Sequence, residues 1–131
     1  MIKHLGELRK DTIFGFRGGK GEMQMTHFLE VEKDEFNGKG RLFAKNVLKP
    51  GTSIGLHEHV GDSETYVILS GEGLVNDNGN QKLVKPGDVI ITRNGEKHSI
   101  ENTGTFDLEI LALILFDYEA KLANFLSPLP N

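Results

Sequence analysis

The stretch GTSIGLHEHVGDSETYVILSG, residues 51–71, carries the strongest structural signal in this chain. Residues two apart in a β-strand point to the same face, so His57 and His59 project their imidazoles in one direction. A short turn at residues 60–63 would reverse the chain and begin an adjacent antiparallel strand at Glu64. The carboxylate of Glu64 then falls beside the two imidazoles, and the stretch predicts three side chains close enough to share one ion.

A second stretch, GDVIITRNGEKHSIEN at residues 87–102, supplies a fourth candidate ligand, His98. The β-branched residues at the start of this stretch predict one strand, and a turn follows at residues 93–96. A second strand after the turn carries His98. Imidazole and carboxylate groups suit manganese, iron, nickel, copper and zinc, and four such donors leave about two positions open on an octahedral ion. We therefore predict one divalent transition-metal ion bound by four side chains: His57, His59, Glu64 and His98.

Turn signals separate short strand-like segments along most of the chain. The predicted strands cover residues 23–31, 41–49, 52–60, 64–69, 73–76, 81–84, 88–92, 98–102 and 106–116. Strands at about ten-residue spacing predict an all-β sandwich or barrel. Apolar residues at helical spacing after Asp117, a residue type favoured at helix N-caps, predict a short C-terminal helix over about residues 117–126. The glycine-rich residues 14–21 lack the P-loop pattern and are interpreted as an irregular arm.

Composition limits the classes of function. A chain of 131 residues can form one domain with one core. The formal charge of −4 and the lack of a strongly basic stretch argue against a nucleic-acid partner. The chain contains no cysteine, which excludes disulfides and thiolate chemistry, and its longest apolar run is too short to span a bilayer. The N-terminus has no signal-peptide pattern, so we expect a cytoplasmic protein without membrane contact.

The two stretches resemble the two signature motifs of the cupin superfamily. The shared positions are the four candidate ligands, the glycines around them and Asn102, in the expected order. The resemblance covers residues 51–102 and implies a single domain (1–131): a double-stranded β-helix (jelly-roll) barrel over about 25–116, preceded by an N-terminal arm at 1–24. Arg93 stands where the second motif usually has proline, which should change the rigidity of a turn rather than metal binding.

Six further residues are candidates for substrate contact or catalysis, and no catalytic residue is assigned among them. Tyr66 shares the strand face of Glu64 and could orient a substrate or act as an acid, although a wall residue of the barrel is the simpler interpretation. Glu96, in the turn before His98, could act as a general base. Asn102 could touch a ligand or hydrogen-bond within the barrel. The candidate anion-binding side chains are Arg41, Lys45 and Arg93.

The resemblance is to small bacterial cupins often described as oxalate-decarboxylase-like or mannose-6-phosphate-isomerase-like. It implies a metal-dependent enzyme acting on a small oxygen-rich anion, with manganese or iron favoured over nickel or zinc. Our first hypothesis is decarboxylation or dioxygenation of a small carboxylic or keto acid. The alternatives are a sugar or sugar-phosphate isomerase or epimerase, which needs two of the three cationic candidates in the pocket, and a ligand-binding module without turnover. We also expect a homodimer, because the apolar residues 106–116 and the glycine-rich arm at residues 14–21 offer surfaces for a second copy.

Overall fold

The computed structural model describes residues 1–119, which form ten β-strands joined by turns and three short 3-10 helices. The strands are β1 (Lys10–Phe14), β2 (Glu22–Leu29), β3 (Gly40–Leu48), β4 (Ser53–Glu58), β5 (Asp62–Ser70), β6 (Gly73–Asp77), β7 (Asn80–Val84), β8 (Val89–Thr92), β9 (Lys97–Asn102) and β10 (Leu108–Phe116). The helix predicted over about 117–126 lies, beyond Glu119, outside the described residues. No helix in the described part of the chain is long and apolar enough to cross a membrane.

The strands form two antiparallel sheets that face each other across a hydrophobic core. Six strands form the larger sheet in the order β1-β2-β3-β10-β5-β8, and four form the smaller sheet in the order β4-β9-β6-β7. Every second residue is buried along most of β5 and β10, as expected for strands with one face on a core. Both sheets contribute to this core, which includes Ile54, Ile100, Leu48 and Ile110. The all-β architecture predicted from the spacing of the turns is confirmed.

All nine predicted strands are present, with ends shifted by one or two residues. The tenth, β1, lies in the segment that the sequence analysis assigned to an arm, and it pairs with β2 through contacts such as Ile13 opposite Met23. Its signal in the sequence is weak because it is a short edge strand with no fully buried residue. Of its side chains, only Ile13 packs against the core.

The chain crosses from one sheet to the other just before β5. The predicted hairpin between β4 and the strand of Glu64 is therefore wrong: β4 pairs with β9, whereas β5 pairs with β8 and β10. Gly61 makes the corner with a φ of 77°, a left-handed conformation that suits glycine. Its N–H donates to Asn94 Oδ1 at 2.7 Å, and its carbonyl accepts from the N–H of Asp117 at 2.9 Å. This corner brings Glu64 to the histidines from the facing sheet.

Candidate metal centre

Three histidines and one glutamate converge between the two sheets. His57 on β4 lies opposite His98 on β9, His59 follows the end of β4, and Glu64 lies on β5. The Nε2 atoms of His57 and His98 are 3.0 Å apart, and those of His59 and His98 are 3.1 Å apart. Glu64 Oε1 lies 3.1 Å from Nε2 of both His59 and His98. All four donor atoms lie within 4.8 Å of one another, so these four residues are positioned to bind one metal ion.

The Nδ1 atoms of His57 and His59, which face away from the cluster, are hydrogen-bonded to other protein groups. His57 Nδ1 donates to the carbonyl of Gly55 at 2.7 Å, and His59 Nδ1 donates to Asp62 Oδ1 at 2.7 Å. Carbonyl and carboxylate oxygens only accept hydrogen bonds, so both histidines carry a proton on Nδ1. When these imidazoles are neutral, their Nε2 lone pairs face the centre of the cluster, as in metal sites whose ligands are oriented by outer hydrogen bonds.

This arrangement of lone pairs fits a cation. Imidazole lone pairs and a carboxylate oxygen at 3.0–3.1 Å repel one another unless positive charge lies between them. His98 can also direct its Nε2 lone pair to the centre, since its Nδ1 lies 2.8 Å from the hydroxyl of Thr92, to which it can donate. Two donors about 2.1 Å from one ion are about 3.0–3.4 Å apart, so these separations allow the donors to share one divalent ion.

Burial and hydrogen bonding together set the charges in the cluster. Burial opposes ionisation of Glu64, but the neighbouring imidazoles of His59 and His98 hold its pKa down at about 2. Burial also favours neutral His59, but the carboxylates of Glu64 and Asp62 outweigh this effect and raise its pKa. Burial lowers the pKa of His57. Glu64 is therefore ionised at neutral pH and supplies the negative charge that stabilises a divalent cation.

A cavity of about 160 Å³ opens beside these donors. Its apolar walls are formed by Ile13, Phe16, Met25, Leu42 and Ile114. The polar residues that line it, apart from the metal-binding candidates, are Arg17, Arg41, Asn46 and Tyr66. Pockets for drug-sized ligands typically measure about 300–1,000 Å³. The cavity therefore suits a small ligand beside the metal centre.

Tyr66 lies in this cavity. It is buried, and its ring stacks on the imidazole of His98 with the two centroids 4.9 Å apart. Burial and the neighbouring carboxylate of Glu64 raise the pKa of Tyr66 well above its usual value. The phenol therefore keeps its proton at neutral pH, and Tyr66 can donate a hydrogen bond but cannot act as a base.

Arg41 also lines the cavity, but its guanidinium is engaged. The pairing of β3 with β10 passes from Leu42 directly to Gly40, so Arg41 is a bulged residue whose side chain can leave the outer face of the sheet. Its Nε donates to Asp62 Oδ2 at 2.8 Å. Arg41 Nε thus holds the carboxylate that accepts from His59.

Three other candidates lie away from the cavity. Lys45 is on the outer face of β3 and pairs with Glu109 at 3.5 Å. Arg93 is exposed in the turn after β8, where its backbone N–H donates to Glu96 Oε1 at 2.8 Å. This hydrogen bond closes the turn and occupies the Glu96 carboxylate. None of Lys45, Arg93 and Glu96 lines the cavity, so their positions give no support to a role in anion binding or catalysis.

Asn102 is buried, and backbone groups use its whole carboxamide. Its Nδ2 donates to the carbonyls of Leu48 and Phe106, each at 2.8 Å, and its Oδ1 accepts from the N–H of Gly104 at 2.9 Å. Of the two roles considered for Asn102, the geometry supports hydrogen bonding within the barrel.

Residues 15–21, here called the mouth loop, bring Arg17 to the cavity. The loop lies directly on β4: Ser53 N–H donates to the Lys20 carbonyl at 2.8 Å, and Lys20 N–H donates to Ser53 Oγ at 2.9 Å. Arg17 is exposed, so it lies where the cavity opens to solvent, and it takes a left-handed φ of 56°. No role was predicted for Arg17, whose place in a glycine-rich run is a weak signal for a cavity residue.

Alanine at Gly19 should displace the mouth loop. The backbone of Gly19 has a φ of −78°, which alanine tolerates, but an added Cβ would overlap the carbonyl oxygen of Ser53 and lie 2.8 Å from the nitrogen of Gly55. Overpacking of this kind costs about 1–3 kcal/mol, and we expect a loss of that size in the free energy of unfolding, measured with urea. Metal affinity should stay unchanged when the loop moves, because none of the four ligands belongs to the loop. Gly6→Ala, at a site with open space, is the control; equal stability of both variants would contradict the packing described.

Comparison with known proteins agrees with this fold and site. Residues 46–114 match the family model described as a cupin domain. The chain belongs to the cupin family. The resemblance seen in the two sequence motifs is thereby confirmed, and the two facing sheets are the jelly-roll barrel that it implied.

Two matches from Thermotoga maritima, one in sequence and one in structure, cover most of the length of this cupin. A protein named oxalate-binding protein is 50% identical over 115 residues, which is 88% of this chain and 93% of the relative. A crystal structure described as a predicted oxalate decarboxylase superposes on this chain with a TM-score of 0.81 and 49% sequence identity. The alignment covers 89% of this chain and 100% of the crystallised chain. A mannose-1-phosphate guanylyltransferase of Klebsiella pneumoniae is 36% identical over 66 residues, but these are only 14% of that enzyme.

Proposed function

We propose that this cupin binds oxalate, or a similarly small dicarboxylate, at a divalent metal ion held by His57, His59, Glu64 and His98. The observation that carries the proposal is the convergence of these four donor atoms beside a cavity of about 160 Å³. When bound, the ion would supply positive charge that polarises the ligand's oxygen atoms. We favour manganese or iron over zinc, because an octahedral ion held by four protein donors keeps about two positions open for a ligand.

The charges around the cavity support an anionic ligand. A divalent ion and the ionised Glu64 together leave one positive charge at the centre. Asp62 and Arg41 form an ion pair with 2.8 Å between Oδ2 and Nε, so their charges largely cancel. Arg17 has no acidic partner within residues 1–119, and it adds a positive charge where a ligand would enter. An anion small enough for the cavity therefore gains from both the centre and its entrance.

The similarity to the Thermotoga maritima proteins supports the same ligand class. The name of one relative refers to oxalate binding, and half of the aligned residues are identical in the two chains. Four protein donors leave about two positions on an octahedral ion, which two oxygens of one dicarboxylate can fill. Oxalate meets this requirement with the smallest number of atoms.

Turnover of the same ligand is the second candidate function. Decarboxylation of oxalate breaks its carbon–carbon bond, releases carbon dioxide and places a proton on the remaining carbon to give formate. Tyr66 favours this chemistry because it keeps its proton and lies in the cavity beside Glu64; solvent would then reprotonate it. No carboxylate other than Glu64 lines the cavity within residues 1–119, so we put binding first and a decarboxylase or dioxygenase second.

The isomerase alternative gains no support from the positions of its residues. It requires two of Arg41, Lys45 and Arg93 in the pocket to hold a sugar or phosphate, and of these only Arg41 lines the cavity, with its Nε on Asp62.

The homodimer and the cytoplasmic location stay predictions. Exposed apolar residues on the outer face of the larger sheet offer a surface for a second copy: Leu69, Val89, Ile91 and Leu115.

Isothermal titration calorimetry of the manganese-loaded protein tests the proposed function. Oxalate should bind with one site per chain, and acetate, which has a single carboxylate, should bind at least about tenfold more weakly because it cannot fill two positions on the ion. The metal-free protein should give no comparable heat. Assay of the same samples for formate and carbon dioxide, with and without oxygen, separates binding from turnover.

One control removes and restores the metal, and the other tests whether the fully loaded protein binds oxalate at all. Removal of manganese with a chelator should abolish oxalate binding, and its return should restore it. Oxalate binding of equal strength with and without the metal would contradict a metal-centred site. Absence of oxalate binding to the fully loaded protein would contradict the proposed ligand.

A further inference from the structure

Two buried asparagines differ sharply in their hydrogen bonding. Asn46 on β3 and Asn102 on β9 are each only 1% exposed. Asn102 makes three hydrogen bonds to backbone groups, whereas Asn46 Oδ1 has no partner within residues 1–119. Buried polar groups in native proteins are nearly always paired, so an unpaired one requires an explanation.

The fold itself gives Asn46 no reason to be polar. The residues opposite it on the two neighbouring strands are Met25 on β2 and Ile110 on β10, both buried and apolar. On its own strand, Ala44 and Leu48 share its buried face. An apolar side chain of similar size would therefore suit this position better than a carboxamide, if packing were its only function.

Asn46 lines the metal cavity together with His57, His59 and Glu64. A carboxamide carries an acceptor oxygen and N–H donors at the same end, so it can pair with both oxygens of a carboxyl group that keeps its proton, as one carboxyl group of a half-protonated dicarboxylate does. No hydrogen bond within residues 1–119 occupies Asn46 Oδ1, so this atom is available to such a group.

We propose that Asn46 positions the bound acid by pairing with the protonated carboxyl group of a half-protonated dicarboxylate: its Nδ2 donates to the carbonyl oxygen, and its Oδ1 accepts from the O–H. This inference rests on the proposed function, because the ligand it requires is a small acid at the metal. Asn46 is thus a specificity residue: a buried group that pairs with a ligand oxygen disfavours ligands that leave it unpaired. Its unpaired state without ligand is explained by the same role.

Asn46→Leu tests this assignment with three measurements. The metal-loaded variant should bind oxalate at least about tenfold more weakly in calorimetry, because the hydrogen bonds to the ligand are lost. Its manganese affinity, measured by chelator competition, should stay within about twofold of the wild type. The metal-free variant should melt at the same temperature or higher, since an unpaired buried polar group has been removed.

Asn102→Leu is the matched control, because it removes a buried asparagine whose hydrogen bonds are all made. It should lower the melting temperature of the metal-free protein. A similar fall for Asn46→Leu would show that Asn46 has a structural role and would overturn the inference. Unchanged oxalate affinity in Asn46→Leu would also overturn it and leave the proposed function intact. If the loaded wild type binds no oxalate, the proposed function fails, and this inference fails with it.

Discussion

Replacing Glu64 with glutamine should lower the affinity of the protein for manganese at least about a hundredfold, since loss of an outer partner alone costs 10–100-fold. Glu64 is the only charged residue among the four donors, and its pKa of about 2 keeps it ionised throughout the neutral range. Glutamine has nearly the same shape but offers a neutral oxygen to the cation. The variant also leaves three imidazoles without the carboxylate that offsets the charge of the ion. Chelator competition, monitored by the metal bound at equilibrium, measures the loss.

Glu58→Gln is the control for this substitution. Glu58 lies on β4 between the two histidines of the first motif, and its side chain is exposed. The variant therefore removes the same charge from the same part of the chain without touching the donor cluster. Manganese affinity should stay within about twofold of the wild type, because solvent and salt screen the exposed charge of Glu58 from the metal site. Equal losses in the two variants would mean that Glu64 acts only through the net charge of the protein.

The residues of the donor cluster were predictable because the information that specifies them is local. The spacing of His57 and His59 places them on one strand face, and turn residues mark where each strand ends. The sheet that carries Glu64 was not predictable in the same way. The chain turns between the sheets at Gly61, where the corner is tied to Asn94 and Asp117, and both of these partners are far away in sequence. A two-residue pattern around Gly61 cannot distinguish this corner from a hairpin.

Two cavity residues were missed for different reasons. Asn46 lies on a predicted strand whose alternation places it on the same face as Ala44 and Leu48, so a polar residue on a core face was a signal present in the sequence. Arg17 gave little comparable signal, because its position depends on how the mouth loop packs on β4. That packing brings together backbone atoms of Gly19 and Gly55, and only the folded chain shows it.

The residues that support the ligands were also hidden by distance in sequence. Asp62 was interpreted as a turn residue, yet its carboxylate accepts from His59 Nδ1 at 2.7 Å and from Arg41 Nε at 2.8 Å. The separation of three residues between His59 and Asp62 offered a hint, whereas the partner Arg41 lies twenty-one residues earlier, on another strand. Arg41 was predicted to bind an anion, and the anion that its Nε holds is this side chain of the protein.

Asp62→Asn should accordingly weaken manganese binding about 10–100-fold, the range typical of outer hydrogen-bond partners of metal-binding histidines. Asparagine keeps the size of aspartate but loses its charge, so it accepts more weakly from His59 Nδ1 and pairs poorly with Arg41. If its amide turns, an N–H faces His59 and favours the tautomer that carries the proton on Nε2, which blocks the metal-facing lone pair. Both effects reduce the fraction of protein whose four donors are ready to bind.

The measurement should compare metal affinity with fold stability, because Asp62 is buried and its replacement also removes an ion pair. Chelator competition gives the first quantity, and urea unfolding of the metal-free protein gives the second. Asp107→Asn, at an exposed position between β9 and β10, is the control for loss of one carboxylate. A role limited to the fold would lower the stability of the metal-free variant and leave the metal affinity of its folded fraction unchanged. The proposed role in orienting His59 requires the affinity of that folded fraction to fall, since the tautomer of one ligand decides whether its lone pair meets the ion.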